Sequence, residues 1–289
     1  MASLATHFSA SVLFIPIGLR RLVSSSSLFL QNPSHFRSKL WYFSDQNFKN
    51  FDLYALLIAL PIASFSELFI FFSFSGHPNY RFSFIHQSLT LLAFWVLIIL
   101  IIVREFMGTS LVNESFVFVF GGAVFLMEYS VMGKGVSGLA GVLYGFLGGL
   151  TLVCAGSCIY LSVKPSAFFA EFLLCSGMVF KGTWLLQAGF SLYTDAFGLK
   201  GCQKVSFLEP QKESLDVHCD LVEDSLRGVA LMHFLFTVHA IVVMILGVGV
   251  FGVLASNRSM RCGEARGPLL AELESTGTRM RALPELEMD

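Results

Sequence analysis

The sequence contains little charge. Asp, Glu, Lys and Arg make up 13 % of its 289 residues, whereas 55 % are hydrophobic and 31 are Phe. Soluble domains carry about 25 % charged residues, so most side chains of this chain must face a medium other than water. The net charge of −1 provides no basic field for nucleic acid. The composition therefore excludes a nucleic-acid-binding protein and predicts membrane lipids as the surrounding partner.

Motifs of common enzyme chemistry are absent too. The sequence has no glycine-rich phosphate loop, no zinc-protease helix motif and no G-x-S-x-G nucleophile elbow. Six cysteines are too few and too scattered for a disulfide scaffold. Cys154 and Cys158 have the spacing of a soft-metal pair, but no His or Met stands at a matching distance, which favours two small core residues. We expect no enzymatic activity, no cofactor and no metal.

Long hydrophobic runs are plentiful. A hydrocarbon core about 30 Å thick is crossed by roughly 20 residues of helix. Six stretches reach or approach this length, and they cover residues 51–74, 84–103, 114–132, 136–163, 166–193 and 228–255. They predict an all-α polytopic membrane bundle, with a membrane domain over residues 1–256 and a disordered cytoplasmic tail over residues 257–289.

The first 50 residues have two interpretations. Residues 7–30 are apolar enough for a seventh span, although Arg20 and Arg21 interrupt them. The same region is rich in Ser and has no acidic residue before Asp45, as in a cleaved targeting peptide. The sequence predicts seven transmembrane helices, or six if the N-terminus is removed. The plasma membrane or an endomembrane is the expected location, and a plastid membrane is the alternative.

Basic residues are distributed unevenly between the two sides of a seven-helix bundle. Twelve Lys and Arg fall on the side of the C-terminal tail and six on the other side. Because short cytoplasmic loops collect Lys and Arg, we predict a cytoplasmic tail and an N-terminus on the opposite side. Cys202 and Cys219 then face the lumen or the outside, where an oxidising compartment would join them. Two free thiols are the alternative.

Small residues recur at every fourth position near the start of the fifth span. They are Ser137, Gly141, Gly145 and Gly149. On a helix this spacing places them on one face, where their size lets another helix approach closely. We interpret the stripe as a helix-packing surface, with the lining of a pathway as the alternative.

Polar residues inside the predicted spans form the candidate site. Glu67, Glu128 and Glu171 are carboxylates in apolar surroundings, and Lys181 and Gln187 follow in the sixth span. A charge at the bilayer centre costs at least about 2.5–3.5 kcal/mol, so each ionised group needs a partner. Glu171 and Lys181 are about 15 Å apart by helical rise, so Lys181 needs a carboxylate from another helix, for which Glu67 and Glu128 are candidates. A proton or ion relay is one role, and an interhelical pair that fixes the fold is the other.

Several motifs, taken in order, resemble one family. The strings "KGTWLLQAGFSLY", "KGC", "HC" and "SLRGVALMHF" follow one another as in the transmembrane protein 45 family (domain of unknown function 716), most of all its plant-type members. His7, Gly18 and Leu19 resemble the opening span of that family, and "SELFIFF" with Glu67 resembles its Met-Glu-Leu-Phe-Ile segment. The span that contains His86 also resembles that family. The resemblance covers residues 1–255 and implies that the first span is retained.

The resemblance also bears on function. It implies a multi-pass membrane protein of unassigned molecular function, and plant-type members are associated with stress and virus-defence responses. Two features differ from the family: Arg20 and Arg21 replace its small and Trp-His positions, and "YSVMGKGVSGLAGVLYG" contains no His. We therefore predict a non-enzymatic membrane component with unknown protein partners, compatible with a homo-oligomer. A transporter or channel that uses the intramembrane carboxylates and Lys181 is the alternative.

Overall fold

The structure is a computed structural model that describes residues 4–42, 50–73, 78–107, 113–133, 136, 138–194, 201–203 and 218–266. Seven helices within these ranges are long and apolar enough to cross a membrane. They are α1 (Leu4–Gln31), α2 (Phe51–Ser73), α3 (Pro78–Met107), α4 (Glu114–Val131), α5 (Gly138–Val163), α6 (Phe168–Tyr193) and α7 (Val222–Arg266). The predicted all-α polytopic bundle is thereby confirmed, and α1 is one of its helices.

The helix ends follow from local chemistry. The Asn113 side chain accepts a hydrogen bond from the backbone N–H of Ser115, which caps the first turn of α4. Two residues after α4 ends, Gly133 has φ +70°, a left-handed conformation that a Cβ disfavours. At the other end of the chain, α7 continues to Arg266. The last ten residues of this helix fall within the predicted tail, whose disorder stays a prediction, and residues 267–289 lie outside the described residues.

The helices alternate in direction, which defines two sides of the bundle. We call the side on which α1 begins the N-terminal side and the side on which α1 and α7 end the tail side. α1 packs mainly along α6, while α2 with α3 and α4 with α5 form neighbouring pairs. α7 lies against α1, α5 and α6 with smaller interfaces. The first and sixth helices thus share the most extensive interface among the described residues, although they are far apart in sequence.

Glycines allow α1 and α6 to approach closely. A Cβ at Gly18 of α1 would lie 2.8 Å from Cγ2 of Val179 on α6. A Cβ at Gly182 of α6 would lie 2.7 Å from Cγ1 of Ile15 on α1. Real Cβ atoms do not tolerate such distances, so the two backbones meet only because these side chains are missing.

The predicted glycine stripe on α5 does not have this role within the chain. No atom of the described residues lies within 4 Å of a Cβ placed at Gly145 or Gly149, and a Cβ at Gly141 would meet only the preceding turn at Val136. Ser137 lies outside the described residues. Among the described residues, these three glycines therefore pack against no other helix. The packing glycine of α5 is instead Gly148, which faces the ring of Tyr129 on α4.

A proline in α2 explains one contact between α2 and α3. Pro61 has no N–H, so the carbonyl of Leu57 one turn earlier cannot form its helical hydrogen bond. The indole N–H of Trp95 on α3 donates to that carbonyl at 3.0 Å. Two turns further along, the hydroxyls of Ser64 and Ser88 lie 2.8 Å apart and also join the two helices. The hairpin of α2 and α3 is thus joined by polar as well as apolar contacts.

Candidate functional site

A fully buried charge pair lies in the middle of α6. The ammonium group of Lys181 has no exposed surface and forms an ion pair with Glu128 of α4. Nζ also lies over two aromatic faces, 4.8 Å from the ring centre of Phe14 and 5.2 Å from that of Phe125. Such contacts attract a cation electrostatically. Of the two partners that the sequence allowed for Lys181, the structure selects Glu128.

A second buried pair lies nearer the tail side. Glu171 has no exposed surface, and its Oε1 lies 2.7 Å from Nε of Arg21 on α1. A second Arg21 nitrogen donates to Oε2 at 2.9 Å, and the Ser38 hydroxyl donates to the same oxygen. The thiol of Cys175, one turn deeper on α6, lies 3.7 Å from Oε1. The carboxylate is therefore charge-compensated and hydrogen-bonded.

Sequence reasoning missed the arginine of this pair. It treated Arg21 as an interruption of the first span, because no local residue balances it. The pair could have been found from the sequence, because one predicted span contains an arginine and another contains a carboxylate, Glu171, and neither has a partner of opposite charge in its own span. In lipid each group needs the other, so removal of α1 as a targeting peptide would leave Glu171 without its cation.

A short segment covers this second pair. We call residues 36–42 the strap; they contain no helix or strand and cross the tail side of the bundle between α1 and α2. Phe36, Ser38, Leu40 and Tyr42 of the strap are buried, and Arg37 and Lys39 between them are exposed. Trp41 is half-buried against the main apolar cluster. Burial raises the pKa of the Tyr42 phenol above its ordinary value of 10, so this group stays neutral at physiological pH.

A third polar group lies towards the N-terminal side. The amide nitrogen of Gln187 donates to the hydroxyl of Ser191 at 3.1 Å. Nearby on α1, His7 is fully buried, and its Nε2 lies 3.2 Å from the hydroxyl of Tyr144. The His7 ring centre is 5.6 Å from that of Tyr193. Hydrogen-bonded polar side chains of α1, α5 and α6 therefore lie at this end.

Glu67 is separate from these groups. It is 3 % exposed on α2, and its Oε2 has no hydrogen-bond partner among the described residues. No ion pair or side-chain hydrogen bond within the described ranges joins it to Glu128, Glu171 or Lys181. The five predicted polar residues thus occupy four places rather than one cluster.

The described residues offer no metal centre. Within those ranges, no three His, Cys, Asp or Glu side chains are grouped so that they could hold a metal ion. Cys154 and Cys158 are buried free thiols on α5. Gly177 of α6 lies against the sulfur of Cys154, where an added Cβ would be 3.1 Å away. The small side chain of Cys154 is therefore explained by the close approach of α5 and α6 at this point.

The remaining predicted pair is covalent. Cys202 and Cys219 form a disulfide. They are partners in a two-stranded antiparallel sheet of β1 (Cys202–Gln203) and β2 (His218–Cys219). Both sulfurs pack against the apolar cluster formed by α5, α6 and α7. The disulfide therefore ties the connection between α6 and α7 to the N-terminal side of the bundle.

Comparison with known families gives one finding. The sequence model of a family of unknown function, DUF716, matches residues 109–252. This range contains Glu128, Glu171, Lys181 and Gln187, and it does not contain Arg21 or the strap. No curated protein matches the chain.

Proposed function

Because the chain belongs to the family of unknown function DUF716, which is the transmembrane protein 45 family, we propose a function from its buried polar groups. The chain is a multi-pass membrane protein of unassigned function, and in our proposal it is a non-enzymatic transporter that passes protons across the membrane. The observation that carries the proposal is the distribution of polar groups along α6.

These groups lie at three depths. Glu171 is near the tail side, Lys181 is in the middle, and Gln187 with Ser191 is towards the N-terminal side. The rise from Glu171 to Ser191 is about 30 Å at 1.5 Å per residue, which equals the thickness of a hydrocarbon core. All four side chains are buried inside the bundle rather than exposed to lipid. Polar side chains thus accompany one helix through the whole apolar layer.

The stability of the fold does not by itself explain why charged side chains are buried in the bundle. Buried ion pairs are often no more stabilising than apolar residues of the same volume, since desolvation offsets their attraction. Ionisable groups inside membrane bundles usually mark ion or proton pathways. In this proposal a proton binds the Glu128 carboxylate, which becomes a neutral acid beside the Lys181 ammonium. Its release towards the other side restores the ion pair.

Proton flux into liposomes tests the proposal. Purified protein is reconstituted, a potassium gradient with valinomycin sets the potential, and a trapped dye reports internal pH. We expect flux with the wild-type chain and none with the double variant Glu128→Gln, Lys181→Met, which removes both charges together. The control is Lys164→Met, the same change at an exposed lysine after α5. A wild-type flux equal to that of empty liposomes, or an undiminished flux in the double variant, would refute the proposal.

We also propose a cellular role in the response to stress or virus infection. It is supported only by the resemblance of the sequence motifs to plant-type family members. Virus titre and stress survival are compared in source tissue with and without the gene, with reintroduction of the gene as the control. Equal responses in both tissues would remove this proposal.

For the location we propose the plasma membrane or an endomembrane. This is supported by the contribution of α1 to the core, because a plastid targeting peptide that included Arg21 would be cleaved away from Glu171. A C-terminal fluorescent fusion, imaged with markers for each membrane, distinguishes these locations from the plastid.

A further inference from the structure

The strap is attached to the bundle by a small number of distinct contacts. Arg21 donates to the backbone carbonyls of Lys39 at 2.9 Å and Leu40 at 2.8 Å, and Arg20 donates to that of Tyr42. The backbone N–H of Ser38 donates to the carbonyl of Pro165 at 2.7 Å. These bonds come from α1 and from the connection before α6. The strap therefore forms no helix or strand, and its backbone is hydrogen-bonded to α1 and to the connection before α6.

Apolar contacts complete the attachment. The ring of Phe36 meets those of Phe29 and Phe168 edge-on, with centres 5.6 and 5.5 Å apart. Leu40 is 7 % exposed and belongs to the main apolar cluster. The outward-facing Arg37 pairs with Glu114 at 2.9 Å, but it is 63 % exposed, and exposed pairs contribute little. Attachment thus depends on the inward-facing residues.

The strap separates Glu171 from the tail-side solution. Its Ser38 hydroxyl contacts the carboxylate directly, and the carboxylate has no exposed surface. The charge partner of Glu171, however, is Arg21 of α1 rather than any residue of the strap. If the strap moved away, Glu171 would lose a hydrogen bond and its cover while its cation stayed in place. Opening would expose the carboxylate to water without leaving a buried charge unpaired.

We propose that the strap is a gate on the tail side of the polar pathway. Displacement of residues 36–42 opens Glu171 to the tail-side solution, and their return closes it. Segments with few backbone hydrogen bonds of their own are those that open most readily in folded proteins. The gate deepens the proposed proton transport and rests on it for its physiological meaning, but its movement can be measured independently.

Cys175 is a natural reporter of this movement. Its side chain is fully buried, and its thiol lies 3.7 Å from the Glu171 carboxylate, which Ser38 of the strap contacts. Replacing Cys154, Cys158 and Cys262 by Ser leaves it as the only free thiol, since Cys202 and Cys219 are joined. This triple variant is placed in vesicles of known orientation and treated with a thiol reagent that cannot cross the membrane. The rate at which the reagent labels Cys175 then measures how accessible the thiol is from each side.

Variants of adjacent strap residues provide matched controls. We expect Leu40→Ala to raise the labelling rate from the tail side by at least about tenfold, because an inward apolar side chain that favours the closed position is lost. Ser38→Ala, which keeps the packing but removes the hydrogen bond to Glu171, should raise it less. Lys39→Ala changes an outward side chain and should leave the rate unchanged. Folding of each variant is checked by its elution as a single species in detergent.

The outcomes separate the gate from the transport function. Faster labelling in Leu40→Ala and Ser38→Ala, with Lys39→Ala unchanged, supports the gate even if liposomes show no proton flux. Equal rates in all three variants would overturn the gate, as would acceleration by Lys39→Ala to the level of Leu40→Ala. If proton flux is present but labelling is equal throughout, the gate fails and the transport proposal stands.

Discussion

The pair of Lys181 and Glu128 predicts a strongly non-additive response to substitution. Lys181 is fully buried, and the side chain of Glu128 is 7 % exposed. Removal of one partner, by Lys181→Met or Glu128→Gln, leaves the other charge inside the bundle and should destabilise the protein by about 3–5 kcal/mol. The double variant contains no charge at this site, and apolar or neutral replacement of a buried pair costs close to zero. The coupling energy should therefore exceed about 3 kcal/mol.

The assay uses the thiols that the fold hides. Cys154, Cys158 and Cys175 are buried, so a thiol-reactive dye reports unfolding in detergent as temperature or sodium dodecyl sulfate rises. We expect both single variants to unfold well before the wild type and the double variant to unfold close to it. Arg227→Ala breaks an ion pair whose arginine is 68 % exposed and should cost at most about 1 kcal/mol.

Two results would refute this reasoning. If each single variant unfolded with the wild type, the charges would not depend on each other in the folded protein. If the double variant were destabilised by the sum of the singles, each residue would act through separate contacts. In either case the intramembrane pair would not be the coupled unit that the proposed proton transfer needs.

Three further predictions concern the packing and the covalent link. Gly182→Ala should destabilise the protein by about 1–3 kcal/mol, because the added methyl group overpacks the contact between α1 and α6. Gly149 has open space around it, so Gly149→Ala should be neutral or stabilise the protein by up to about 1 kcal/mol. Thermal unfolding in detergent measures both changes. Trp95→Phe should cost about 1–3 kcal/mol in the wild type and much less beside Pro61→Ala, since an alanine N–H then satisfies the freed carbonyl. Cys202→Ser should cost about 2–4 kcal/mol, and a reducing agent that destabilises the wild type should not affect this variant further.

The positions of the helices could be predicted because lipid imposes a simple rule. Every span must be a helix of about 20 apolar residues, and runs of that length are visible in the sequence. The number of candidate partners for Lys181 could be reduced for a similar reason. Helical rise excludes Glu171 on the same helix, which left only carboxylates of other helices, and the structure selects Glu128.

Other features depend on which helices become neighbours, and spacing does not encode that. Arg21 and Glu171 are separated by 150 residues, so their pairing appears only when α1 is seen against α6. The glycine stripe that includes Gly145 correctly marks one face of a helix, but spacing does not say that the face lacks a neighbour. The strap is an intermediate case. The alternation of Phe36, Ser38 and Leu40 with the basic residues Arg37 and Lys39 is visible in the sequence, and a search for basic residues at every second position in loops would have found it.

The pairing of the first helix with the sixth has a consequence for biosynthesis. The window of α1 has a mean hydropathy of 1.3 against 2.3 for α3, and it brings two arginines into the membrane before the carboxylate that pairs with Arg21 exists. At about 5–20 residues per second, the ribosome needs roughly 8–30 s to add the 150 residues that separate Arg21 from Glu171. During that interval α1 lacks the carboxylate that balances Arg21 in the folded protein. A chain that stops before α6 would leave Arg21 without its carboxylate partner. Membrane quality control then has an unpaired charge to recognise.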